Sequence, residues 1–178
     1  MGILKRIDFG SVREKVFLLS CLGVMFFFAA LDQWTKYLVV SKIPEHSSIK
    51  IIPGLFNLTY VNNPGAAWGI LAGRGWILIT ISVVVFICII FFLRILTEGW
   101  PERYFAFFLV LSGIIGNSVD RVGKGKVVDF LDFYVNNCHW PAFNVADSCI
   151  TVGVVIFITS SVLRPSNLRK GKALLFPF

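Results

Sequence analysis

Trp76–Leu93 reads WILITISVVVFICIIFFL, 18 residues without a charge. As a helix this run is about 27 Å long, close to the roughly 30 Å of a bilayer's hydrocarbon core. It therefore reads as a membrane span. Three further apolar runs flank it: Val16–Leu31, Tyr104–Val119 and Ala146–Leu163. Each is near the short limit for spanning and gains length only by keeping a polar end at the interface. The alternative, a buried core helix, is the lesser reading for four such runs in 178 residues.

The composition agrees. The chain is 56% hydrophobic and 15% charged, against about 45–50% and about 25% in soluble domains. That excludes a disordered chain, a coiled coil and a disulfide-rich secreted module. The expectation is an all-α membrane protein of four transmembrane helices with a small extracytoplasmic β element between helices 1 and 2. One integral membrane domain covers 1–178, with spans at approximately 16–40, 76–94, 103–119 and 146–163. The first run resembles a signal peptide in its basic lead, but no small-residue cleavage site follows it, so it reads as a retained helix.

The net charge of +7 is sorted by side. In a four-span topology both ends and the 2–3 connection share one side. That side holds ten of the 17 basic residues, including Lys5, Arg6, Arg13, Arg94, Arg103 and Lys170. It holds only four of the acids, Asp8, Glu14, Glu98 and Glu102. Basic flanks mark the cytoplasmic side, so both termini are placed there, and nucleic-acid binding loses its support. Cys21, Cys88, Cys138 and Cys149 form no CxxC pair, and three of them sit in apolar runs. Neither a disulfide framework nor a metal site is expected.

Two outer stretches remain. The first, 41–74, contains IKIIPGLFNLTYVNNPGAAWGIL, where β-branched and aromatic residues alternate with turn signals; it reads as a β-rich loop. The second, 120–144, mixes apolar, acidic and basic residues and reads as a loop at the interface.

This topology gathers acids near the outer boundary: Asp32 at the end of helix 1, Asp120 at the end of helix 3, Asp129 in the last connection and Asp147 at the start of helix 4. Ionisable groups at such depth are costly and tend to be functional. Asp32 and Asp120 read equally as helix-end acids paired with Lys36 and Arg121. Asp132 reads as an exposed loop acid, and Asn144 or Asp147 as a helix N-cap. Two carboxylates brought together share a proton. One then takes a proton from water while the other protonates or polarises a carbonyl, which is general acid–base hydrolysis without a covalent intermediate. No GxSxG or HExxH motif offers a rival chemistry, and the Cys138-His139 pair reads as incidental. Intramembrane acids also suit a small transporter or proton conductor, but no internal repeat supports that class. A structural or assembly protein is the third reading.

Five segments carry a family resemblance: DQWTK at 32–36, YVNNPGAAWG at 60–69, GNSVDR at 116–121, KVVDF at 126–130 and PAFNVADS at 141–148. Each is weak alone; five in order on a four-helix plan are specific. The chain resembles the bacterial lipoprotein signal peptidases, the type II signal peptidases, over roughly 16–163. The resemblance implies an aspartic endopeptidase that cuts a prolipoprotein just before its diacylglyceryl-modified cysteine. It implies Asp129 and Asp147 as the catalytic dyad, with Asp120 the second choice. Asn63, Asn117, Arg121 and Asn144 match substrate-binding or dyad-supporting positions; Asp32, Lys36 and Asp120 match structural ones. No cofactor or metal is implied. The implied partners are prolipoproteins and membrane lipid, with no nucleic acid, for a monomer in the bacterial plasma (inner) membrane with its active site near the outer face. Departures are modest: Trp68 stands where Phe is frequent, Ser112 where glycine is, and Asn63-Pro64 alters the loop turn.

Overall fold

A computed structural model describes residues 12–164. The basic stretches before and after them, with the placement of both termini, lie outside the described residues. Four helices are long and apolar enough to cross a membrane: α1 (Val12–Lys42), α2 (Gly75–Thr97), α3 (Pro101–Lys124) and α4 (Val145–Leu163). The protein is thus a multi-pass membrane protein.

The four helices divide the work unequally. Helix α2 is apolar all round, and few of its residues are fully buried; Phe91 and Trp76 stand exposed, as a lipid-facing surface requires. Helix α3 is the axis. It is the least apolar of the four, and most of it is buried against α1, α2 and α4. Small residues set the approach of α3 to α1 and to α4. A Cβ on Gly116 would sit 2.6 Å from Asp32 Oδ2, and one on Gly153 2.6 Å from the Ala106 carbonyl oxygen. Close backbone approach through small residues is how membrane helices gain packing without a hydrophobic drive. Cys21 and Met25 of α1, Ile89 of α2 and Tyr104, Phe108 and Leu111 of α3 form one apolar core.

Between α2 and α3 the chain reverses in three residues. Glu98 and Gly99 take left-handed conformations (φ 49° and 77°), and Pro101 opens the next helix. Beneath this turn, buried Arg103 pairs with Glu98 at 3.4 Å and donates to Ser160 Oγ at 3.1 Å, tying α3 to α4.

At the opposite end lies a four-stranded antiparallel sheet of order β1–β2–β3–β4. Strands β1 (Ser48–Ile52) and β2 (Phe56–Asn63) form the expected β element between α1 and α2. The second connection is more ordered than the sequence suggests. Its start is helical, because α3 runs on to Lys124; Asn117 and Asp120 after Ile115 are buried against protein, so polarity there marks the end of the lipid-facing run rather than of the helix. The rest supplies β3 (Val127–Val135) and β4 (Cys138–His139), with β3 pairing to β2. Val39 of α1 and Ile43 just beyond its end pack beneath Val128 and Phe130 of β3 and fix the sheet to the bundle.

Candidate active site

Asp129 is placed by the sheet. It lies on β3 opposite Val61 of β2, and the same pairing brings Asn63 alongside it. Asn63 Nδ2 donates to Asp129 Oδ2 at 2.9 Å, and Asn144 Nδ2 donates to Asp129 Oδ1 at 2.7 Å. Asn63 Oδ1 accepts from Gly65 N at 2.9 Å, which fixes the direction of its amide.

Asp147 is placed by a helix start. Asn144 is the N-cap of α4 and Asp147 its third residue, and the two form a capping box. Asp147 N donates to Asn144 Oδ1 at 2.9 Å, and Asn144 N donates to Asp147 Oδ2 at 3.3 Å. Asn117 Nδ2 of α3 donates to Asp147 Oδ1 at 2.7 Å. Asn144 therefore joins both acids: its amide N–H holds Asp129 and its backbone N–H holds Asp147.

Both carboxylates line one cavity of about 650 Å³. Asn63, Asn117 and Arg121 share its wall, while fully buried Asn144 lies behind. Arg121 donates to the Gly65 carbonyl at 3.2 Å. Ile150 and Val152 of α4 give an apolar side. At the exposed rim Trp68 and Trp140 meet edge to face, 5.6 Å between centroids. Burial pushes the Asp129 carboxyl up to about 6; the Asn63 hydrogen bond opposes that, the Asp147 charge adds to it, and Asn144 and Lys36 oppose it.

Asp32, Lys36 and Asp120 form a second cluster, removed from the cavity wall. The Lys36 ammonium pairs with Asp32 at 2.7 Å and with Asp120 at 2.8 Å, all three side chains being almost fully buried. Asp120 thus pairs with Lys36, whereas the sequence had suggested neighbouring Arg121, whose guanidinium reaches Gly65. Asp132 is also corrected. It is buried rather than exposed, accepting from Asn57 Nδ2 at 2.8 Å and contacting His139 Nδ1 at 2.8 Å. His139 is tied into the sheet through Asp132. Trp140 of the rim was not singled out from the sequence; only its place beside Pro141 in an outer connection hinted at a lining role.

The profile of the family described as Signal peptidase (SPase) II matches residues 24–163. A lipoprotein signal peptidase of Symbiobacterium thermophilum is 43% identical over 143 residues, 80% of this chain and 92% of that one. One of Alteromonas mediterranea is 45% identical over 132 residues, 72% of each chain. Two solved structures, each described as a bacterial membrane enzyme structure by the in meso method, share the fold. One has a TM-score of 0.75 at 28% identity, over 99% of this chain and all of the other. The second has 0.72 at 30% identity, over 93% and all.

Proposed function

The chain belongs to the signal peptidase II family and is a protease of the membrane, and on that premise we propose that it is an aspartic endopeptidase that removes signal peptides from diacylglyceryl-modified prolipoproteins. It cleaves just before the lipidated cysteine. The observation that carries this reading is that Asp129 and Asp147 line one cavity, each bracketed by amide N–H donors and, among the described residues, neither in an ion pair with a lysine or arginine.

The dyad works with one proton between two carboxylates. The ionised member takes a proton from a water, which attacks the scissile carbonyl carbon. The protonated member gives its proton to the carbonyl oxygen. As the C–N bond breaks, the member that took the water's proton passes it to the leaving amine, and a hydroxyl of the tetrahedral intermediate returns a proton to the first member. The amides keep both oxygens of each acid aimed, so little reorientation is needed during the reaction. Arg121 offers its remaining N–H donors to the peptide. The acyl chains anchor in lipid beside the apolar side of the cavity, each buried methylene adding about 0.8 kcal/mol. The sheet end faces outward in the bacterial plasma membrane, both termini are cytoplasmic, and the enzyme acts as a monomer.

The test is cleavage of a lipobox peptide with and without its diacylglyceryl group, by the wild-type chain, Asp129→Asn and Asp147→Asn. Cleavage only of the lipidated peptide and only by wild type is expected. Turnover by a folded Asp variant removes that residue from the dyad; equal cleavage of the lipid-free peptide removes the anchoring argument.

A further inference from the structure

The dyad mechanism leaves a deeply buried ammonium without a task. Lys36 is 1% exposed, and a buried ammonium needs more reason than one surface-style ion pair. Its three protons face three oxygens: Asp32 Oδ2, Asp120 Oδ2, and Asn117 Oδ1 at 3.2 Å. The two acids suffice to balance its charge. The third partner is a neutral amide, and the other end of that amide holds Asp147 at 2.7 Å.

Building on the dyad reading above, we infer that Lys36 is a positioning residue for catalysis: its ammonium fixes the direction of the Asn117 amide and so delivers an N–H donor to Asp147. An asparagine amide can turn over, exchanging its oxygen and its NH2 group. Turned over at this site, its NH2 would face the ammonium and its oxygen would face the Asp147 carboxylate, two repulsive contacts in a buried setting. With Lys36 charged, only the observed direction is favourable. The other neighbour of Asn117 Oδ1, Asn144 Nδ2 at 3.3 Å, is already held by Asp129 at 2.7 Å. It selects less strongly, because it is neutral and its shorter bond lies elsewhere. Asp32 has its own tie to the same place: Oδ1 accepts from Ala146 N at 2.8 Å, next to Asp147 in the first turn of α4.

Removing the ammonium alone would strand two buried acids, so the test starts from Asp120→Asn. There, Lys36→Met leaves one acid, Asp32, which keeps Gln33 Nε2 and Ala146 N as donors. Four chains on this background are compared: unaltered, Lys36→Met, Asn117→Ala, and both. Melting in detergent, kcat and KM on the lipidated peptide are read for each. Misaiming one carboxylate should lower kcat about 100-fold in Lys36→Met with KM within about threefold. The combined variant should be no slower than Asn117→Ala, because Lys36 acts through that amide. Multiplying losses, unchanged kcat in Lys36→Met, or a Lys36→Met chain that unfolds where Asn117→Ala folds would each overturn the inference and leave Lys36 as a fold-holding residue. Asp147→Asn run in parallel separates the two ideas: if it turns over normally, the dyad reading has failed as well.

Discussion

The protein holds two pairs of carboxylates within one hydrogen-bonded network and treats them in opposite ways. Asp32 and Asp120 have an ammonium between them, at 2.7 and 2.8 Å. Among the described residues, Asp129 and Asp147 accept hydrogen bonds from amides alone, those of Asn63, Asn117 and Asn144. An ammonium settles the charge of a pair and makes it a strut. Amides hold a pair in place and leave its charge unsettled, which on the proposed mechanism lets the pair share one proton. A cavity opens onto the second pair and not the first. The difference between strut and dyad is thus one of neutralisation and access.

The contrast is broken most severely at the dyad. Asp129→Asn and Asp147→Asn should each lower kcat by on the order of 10⁴-fold, while the melting temperature stays level or rises. The rise follows because replacing one acid removes a like charge and a desolvated carboxylate together. A fall in melting temperature matching that of Asp120→Asn would mean that the two pairs are both struts.

The strut should respond in the reverse sense. Asp120→Asn strips Lys36 of one buried partner, at a cost of about 3 kcal/mol, read as a lower melting temperature in detergent. The folded fraction should keep turnover within a few-fold of wild type, since Lys36 stays charged and Asn117 keeps its direction. Loss of turnover at unchanged stability would move Asp120 into the dyad and displace Asp129.

Which parts of this contrast are legible in sequence follows from what each part depends on. The helices are local: an uncharged run such as 76–93 can be read residue by residue. The hairpin of β1 and β2 is local too, with Pro53-Gly54 between two β-branched runs. Strand β3 is different. KVVDFLDF alternates only partly, because Val127 to Phe130 are all buried, so neither a strand face nor a loop stands out. Its partner β2 lies some 65 residues upstream, beyond any local pattern. The same distance hides the network. Lys36 and Asn117 are 81 residues apart in the chain. DQWTK shows an acid and a base one helical turn apart, and nothing in it shows that the base also serves an amide on another helix. Asp132 was misread for a similar reason: Asn57 is 75 residues away.

The smallest effect concerns the proton itself. The Asp129 carboxyl is held up to about 6 by burial first, with the Asn63 hydrogen bond the leading opposition. The dyad needs one proton, so kcat/KM should fall about tenfold per pH unit above the point where that proton leaves. The step belongs to the pair rather than to one residue, and in the free enzyme it should begin near 6. Asn63→Ala removes a donor that favours the ionised form. The proton is then held more tightly, and the falling limb moves to higher pH. A hydrogen bond to a carboxylate is worth about 1.5 kcal/mol, or roughly one pH unit. The same substitution at the strut has no counterpart, because there an ammonium, not an amide, sets the charge. A limb that stays in place in Asn63→Ala, or moves to lower pH, would mean that the titrating group lies outside the dyad.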